Sequence, residues 1–362
     1  MDFTYSEDQQ AISELATQII NDHSAPETLR ALERSGEPRF NRDLWSKLAE
    51  AGLLGLSVPE ESGGAGLTLL EAALVIQASG TAAAAIPIWE TLGLGLPALL
   101  GSDNPAAGEW ISTTAAGETV LTGAWHQGEA IDAENPTVSA SSAGLTGTAS
   151  CVPALTVADA VIVPARVEGT LALYLVATDA PGVSIEPIDS TYGTPDGNLE
   201  LNNAQAIELV RGDDAVHLAF DHAVALQCAL LLGHCESALA LTAQYTKDRK
   251  QFGVPLASFQ AVGHRAADTF IDTQGIRLTT NQALWRLSTG VEASEQVAIA
   301  KFWASYGGYR VVHAATHLHG GVGVDRDYPL HRHFLAVKQY ELQLGGATPS
   351  LLRLGASIAA NA

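Results

Sequence analysis

The sequence predicts an α+β protein that is mainly α: an N-terminal helical domain over residues 1–116, a middle β-barrel or sandwich domain over 117–212, and a C-terminal four-helix bundle over 213–362. Three observations carry this. Helix-period apolar patterns fill the first third of the chain. Short β-type runs broken by Gly, Pro, Asp and Asn fill the segment from Thr119 to about Val210. Helical texture then returns after Asp213-Asp214 and lasts to the end. The 362 residues are enough for two or three domains with a large buried core.

The elements follow in order. Ser6 precedes Glu7-Asp8-Gln9-Gln10 and an apolar series at Ile12, Leu15, Ala16, Ile19 and Ile20. That spacing makes one helix face, with Ser6 as its N-cap. The run from Asn41 to Glu50 repeats the pattern and stops at Gly52, a C-terminal stop signal. The loop Val58-Pro59-Glu60-Glu61-Ser62-Gly63-Gly64-Ala65-Gly66 precedes another helix. Its acidic pair argues against an anion there, so a structural turn is expected. The stretches Ala160–Ala165, Leu171–Val176 and Gly182–Ile188 read as strands. Gly233 falls inside the long helix expected from about Ala215 to Arg249, which points to a close helix contact.

Composition excludes several classes. Hydrophobic residues make up 47% and charged residues 16%, which does not fit disorder. Gly80–Leu100 comes nearest to an apolar membrane span, but Pro87, Glu90 and Pro97 interrupt it, and the acidic N-terminus lacks a signal-peptide pattern. A cytoplasmic protein with no membrane partner is expected. Three cysteines, two of them (Cys228 and Cys235) in an apolar helical stretch, agree with that. The net charge of −21 argues against nucleic acid. Residues 1–222 carry 7 Lys and Arg against 31 Asp and Glu, whereas residues 223–362 carry 12 against 9. A phosphorylated ligand would therefore sit in the C-terminal third.

Two motifs give that third a chemistry. The first is Tyr245-Thr246-Lys247-Asp248-Arg249-Lys250-Gln251-Phe252-Gly253-Val254-Pro255-Leu256, followed by Ser258-Phe259-Gln260. The second is His317-Leu318-His319-Gly320-Gly321-Val322-Gly323, with Asp327-Tyr328-Pro329-Leu330 after it. Arg249 at a helix end can offer a guanidinium fork to a pyrophosphate, and Lys250 adds charge. Phe252 offers a flat ring. Gly320 and Gly321 let backbone amides approach a ligand where side chains would clash. Taken alone, Arg249-Lys250 reads as a charge pair complementing a helix dipole, and the two glycines as an ordinary turn.

Together with Leu48–Gly55 and Val58–Gly66, these stretches resemble the acyl-CoA dehydrogenase family along the whole chain. The resemblance implies an FAD cofactor. It also implies that Arg249, Gln251, Phe252, Gln260, His317, Gly320 and Gly321 hold the adenine and pyrophosphate end of an FAD whose ring lies in a neighbouring subunit.

The same comparison exposes what is missing. The family's catalytic base is a glutamate late in the last domain; counting from Tyr328-Pro329 puts Leu344 there, and matching the following glycine puts Gly345 there. In some members the glutamate opens the long helix, where this chain has Ala223 followed by Val224. None of these accepts a proton. Glu341 lies nearby and reads as a solvated helix carboxylate. The ring-binding stretch is also unrecognisable: the chain offers Thr122–Ala130 and Thr148–Pro153, with Trp125 read as a core tryptophan. No catalytic residue and no metal ligand is assigned.

The resemblance is therefore to the non-catalytic subunit of heterotetrameric (α2β2) steroid-side-chain acyl-CoA dehydrogenases of actinobacteria. It implies a catalytic paralogue as partner, acyl-CoA in that partner's site and an electron-transfer flavoprotein as acceptor. The alternatives are a self-sufficient homotetramer with a relocated base such as Glu341, and a flavin-free scaffold.

Overall fold

The computed structural model describes residues 4–128 and 135–360. The N-terminal part holds α1 (Glu7–His23), α2 (Pro26–Ser35), α3 (Arg42–Glu50), α4 (Leu69–Ala82), a π-turn (Glu90–Gly95) running into α5 (Leu96–Leu100), and α6 (Ala107–Ala115). Ser6 caps α1 through a reciprocal pair: Gln9 N–H donates to Ser6 Oγ (3.2 Å) and Ser6 N–H to Gln9 Oε1 (3.0 Å). Beyond α3, Gly52 takes φ +72°. The glycine-rich loop folds back on itself, with Ala65 N–H donating to Gly55 O (3.0 Å) and Leu67 N–H to Leu56 O (2.8 Å).

The middle part is one eight-stranded sheet. Its strands are β1 (Leu121–Gly123), β2 (Ser139–Ser141), β3 (Gly144–Val152), β4 (Ala160–Val167), β5 (Thr170–Ala177), β6 (Val183–Pro187), β7 (Gly197–Ala204) and β8 (Ile207–Arg211). They run in the order β6-β7-β3-β2-β4-β5-β8, with β1 parallel to β4. The two central strands pair from Ala160↔Ala177 to Val167↔Thr170. They are apolar on both faces because both faces are covered. Ile162, Leu171, Leu173 and Leu175 join the helical core, while Val161, Val163, Ala172 and Val176 form the sheet's own core.

The C-terminal part begins with α7 (Asp213–Asp248), followed by a hairpin of β9 (Lys250–Gln251) and β10 (Val254–Pro255). Then come α8 (Gln260–Ser288), α9 (Ser294–Phe302), a π-turn (Trp303–Gly307), α10 (Gly308–His319), a 3₁₀ turn (Gly320–Val324), α11 (Leu330–Tyr340) and α12 (Ala347–Ala360). By length and composition α7 could cross a bilayer, yet 78% of its most apolar window is buried in the protein. A helix apolar on all sides is a core helix when others surround it.

The crossing of α4 and α7 fixes these helices. A Cβ on Gly233 would lie 2.1 Å from Gln77 O and 2.7 Å from Thr81 N, and a Cβ on Gly80 would lie 2.3 Å from Leu230 O. The backbones touch because neither helix carries a side chain at the contact. Gly233→Ala is expected to push the helices apart and lower unfolding free energy by about 1–3 kcal/mol, as overpacking does. Urea denaturation with a shifted midpoint and unchanged slope would register it.

Candidate functional site

The seven residues implicated by sequence lie on two adjoining segments at one end of the C-terminal bundle. Arg249 caps α7, its N–H donating to Tyr245 O (2.8 Å). Gln251 ends β9, and Phe252 (φ +54°) with Gly253 (φ +82°) forms the hairpin turn. Phe252 is 93% exposed and meets only the edge of the Phe259 ring (centroids 6.2 Å) among described aromatic rings. Gln260 opens α8. His317 lies in the last turn of α10, and Gly320 and Gly321 begin the 3₁₀ turn after it.

Three residues that the sequence reading left without a role join the segments. The Tyr245 ring stacks on His319 (4.3 Å), Tyr245 O–H donates to His319 O (3.3 Å), and His319 Nε2 bonds Tyr328 Oη (3.2 Å). Tyr245 and Tyr328 stood inside the two motif strings, so the signal was present without a partner to pair it with. All seven motif residues are exposed, and Arg249 makes no ion pair among the described residues. A Cβ on Gly320 or Gly321 would meet nothing within 4 Å, so the turn's backbone is open to an incoming ligand. A free guanidinium, a bare aromatic ring and an open glycine turn fit the phosphate and adenine end of a dinucleotide.

The other half of the expected site lies elsewhere. The stretches standing in place of the ring-binding segment, described as far as Gly128, meet the loop after α11 around a cavity of about 320 Å³. Its wall includes Trp89, Leu94, Trp125, Val152, Pro153 and Leu344. Trp125 is buried and packs edge-on against Phe220 of α7 (5.3 Å), so it is a core tryptophan that also faces the cavity. Polar groups at the wall are largely engaged. Asp196 Oδ1 accepts Ala154 N–H (3.0 Å), Asp196 Oδ2 accepts Gln339 Nε2–H (3.1 Å), and Thr122 O–H donates to Pro153 O (2.5 Å). A flavin ring edge needs a row of donors and acceptors, and these groups are already engaged within the protein.

No base stands at the expected position. Leu344 separates the 320 Å³ cavity from a second of about 620 Å³ between α7, α9 and α12, and Gly345 lines that second one. Ala223 is fully buried; its carbonyl accepts Trp89 Nε1–H (3.0 Å). Lys301 on the second cavity is buried and donates to Gln227 Oε1 (2.5 Å) and Tyr340 O (3.0 Å), and burial lowers its pKa to about 8.

The expectation for Glu341 is corrected on two points. It is 6% exposed rather than solvated, and it lies just past the end of α11. The helix stops because Leu344 (φ +55°) and Gly345 (φ +85°) turn the chain left-handed before α12. The Glu341 carboxylate pairs with Lys338, and Glu341 lines neither cavity.

Both ends belong to one helix. Phe220, beside the cavity, and Arg249, at the exposed end, are 29 residues apart on α7. At about 1.5 Å per residue that is about 43 Å. An extended FAD is far shorter, so the two ends cannot serve the same cofactor within one chain.

Residues 211–356 match the acyl-CoA dehydrogenase C-terminal domain and residues 6–118 its N-terminal domain. The chain is 40% identical to acyl-CoA dehydrogenase FadE27 of Mycobacterium tuberculosis, over 99% of each chain. Its fold matches a chain of the ChsE4-ChsE5 complex from Mycobacterium tuberculosis (TM-score 0.93, 40% identity, 99% of each chain). It also matches a chain of the Tcur3481-Tcur3483 steroid ACAD G363A variant (TM-score 0.92, 38% identity, 98% of each chain).

Behind the smaller cavity lies a buried acid that the sequence showed only as a lone carboxylate in an apolar run. Glu90, in the π-turn, is 3% exposed; burial raises its pKa to about 8, and Tyr340 bonds it. A carboxyl whose folded pKa exceeds its unfolded value binds the proton more tightly when folded. Stability is therefore lost as pH rises from about 4.5 toward about 8. Glu90→Gln is expected to flatten the fall in unfolding free energy between pH 5 and pH 8. Chemical denaturation of both proteins across that range measures it, and parallel pH profiles would contradict it.

Proposed function

The chain belongs to the acyl-CoA dehydrogenase family of FAD-dependent enzymes, and from that membership we propose that it is the non-catalytic subunit of a heteromeric acyl-CoA dehydrogenase. In this reading it lends the adenine and pyrophosphate half of the FAD site to a catalytic paralogue. The observation that carries it is the contrast along α7: an open polar half-site at one end, and at the other no carboxylate at any expected base position, with Leu344 on the cavity wall, Gly345 on the neighbouring cavity and Ala223 buried.

Arg249 would hold the pyrophosphate by paired N–H donors, with Lys250 adding charge. Phe252 would cover an edge of the adenosine. Gln251, Gln260 and His317 would supply neutral polar contacts, and the amides of Gly320 and Gly321 would donate across the interface. Bound FAD supplies the hydride acceptor for α,β-dehydrogenation. The acyl-CoA and the base would belong to the partner, and an electron-transfer flavoprotein would take the electrons. Exposed Phe270, Ile271 and Leu278 on α8 support an oligomeric face within the 213–362 domain. Likeness to a chain of the ChsE4-ChsE5 complex and to a steroid enzyme supports a heterotetramer acting on a steroid side-chain thioester.

Expressed alone, the chain should be nearly colourless; co-expressed with its paralogue it should give about one FAD per heterodimer. Flavin absorbance against protein concentration decides this, and a yellow, fully loaded homo-oligomer would refute the reading. Within the complex, Arg249→Ala should weaken FAD retention on the order of a hundredfold, a loss of about 2.8 kcal/mol. Unchanged retention in equilibrium dialysis would leave the motif a purely structural role.

A further inference from the structure

A third pocket, of about 270 Å³, lies between α2, the loop from β6 to β7 and the start of α11. None of the seven motif residues lines it, and Ser190 and Thr191 divide it from the 320 Å³ cavity. We propose that it binds a small phosphate monoester. The inference does not depend on the subunit reading.

Arg39, in the link between α2 and α3, is the anchor. It is 8% exposed, yet no carboxylate pairs with it among the described residues. A charge held out of water is costly unless it is paired or bonded. Its bonds within the protein use one nitrogen and one face. Nη2 donates to Ala83 O (2.8 Å) and to Tyr192 Oη (2.8 Å), and the guanidinium lies 4.0 Å over the Tyr192 ring. Nε and Nη1 bond nothing among the described residues, and neither is sealed from the pocket that Arg39 lines. N–H donors therefore remain for an incoming oxyanion.

Other charges stand on the same wall. Arg332 holds Glu33 with two N–H donors (2.7 and 2.9 Å). Burial alone would raise the Glu33 carboxyl, but the Arg332 hydrogen bond and the charges of Arg332, Arg39 and His331 hold it below the usual carboxylate range. These groups are thus close enough to act on one point. Arg326 is exposed and makes no ion pair among the described residues. Glu37, the second acid, is exposed to water. Three arginines outnumber two acids here, on a chain whose net charge is −21. The pocket therefore favours an anion.

The arrangement of donors selects among anions. Arg39, Arg326 and the Thr191 hydroxyl come from three separate segments of the wall. A carboxylate offers two oxygens in one plane, whereas the tetrahedral oxygens of a phosphate receive donors from three directions. His331 Nδ1 donates to Tyr328 O (2.7 Å), and burial, with Arg332 and Arg326 nearby, keeps its imidazole below the ordinary value. Its Nε2 is then an acceptor for a ligand hydroxyl. Leu32 and Leu335 complete the wall and can cover a short carbon body. The volume falls below the roughly 300 Å³ at which sites for drug-sized ligands begin, so that body is small.

The test uses the assembly in which the chain is purified, alone or with its paralogue. Equilibrium dialysis at fixed ionic strength measures labelled glycerol 3-phosphate, with inorganic phosphate and malonate as competitors. The expected result is saturable binding of about one glycerol 3-phosphate per copy of this chain, with each competitor at least about tenfold weaker. Arg39→Gln should weaken binding about tenfold or more, and exposed Arg326→Gln about three- to fivefold. Thermal melts check that both variants fold, and flavin content should stay at the wild-type level in Arg326→Gln. No saturable binding, a competitor that binds as tightly, unchanged affinity in Arg326→Gln, or flavin lost from that variant overturns the proposal. Flavin absorbance of the wild-type chain is a separate measurement, so a yellow chain would sink the subunit role and leave this site standing.

Discussion

The backbone contact between α4 and α7 sets the geometry on which everything else depends. Gly80 and Gly233 remove the side chains that would separate the helices, so the long helix lies directly on the N-terminal part. From Ala223 to Cys235 it is buried on every side. Once α7 is held there, its two ends are held too. Near its start, Phe220 meets Trp125 at the cavity; near its end, Tyr245 meets His319. A shift of α7 along its axis would disturb both places together.

A second tie reaches the glycine turn from the N-terminal side. Arg332 grips Glu33 of α2 with two N–H donors (2.7 and 2.9 Å), and Arg30 pairs with Asp327 at 3.2 Å. Arg332 is almost fully buried, so its ion pair specifies an arrangement more than it adds stability, while removing one partner would strand a charge. The segment running from Gly320 to Leu330 is thus pinned at its far end by α2 and at its near end by the Tyr245–His319 stack. The turn can be exposed and still well placed.

Local signals in the sequence were readable where local physics decides the outcome. Ser6 with Gln9, the runs that became the two central strands, and Arg249 at a helix end all involve neighbours a few residues apart. Gly233 was readable as a close contact, though not its partner Gly80. Glu341 was read as a solvated helix carboxylate, whereas it lies buried just past the end of α11. The break depends on Leu344 and Gly345 in left-handed conformations, and only Gly345-Gly346 hinted at it. The cavity was illegible for another reason. Trp125 and Phe220 are far apart in sequence, and nothing short-range marks residues that meet only through the sheet's packing on α7.

The two half-sites also differ in what the fold asks of them. An exposed Arg249 or His317 costs the monomer almost nothing, since its charge or dipole stays in water. A carboxylate at the position of Leu344 or Ala223 would sit in apolar surroundings, where the charged form is strongly disfavoured unless paired. A chain that performs no proton abstraction is therefore more stable with leucine and alanine at those places. Glu90 shows the alternative on the same cavity's flank. It is a buried acid whose pKa burial raises to about 8, with Tyr340 bonded to it. Under the proposed division of labour, the asymmetry between an exposed polar outer half and an apolar inner half is what this energetics would produce.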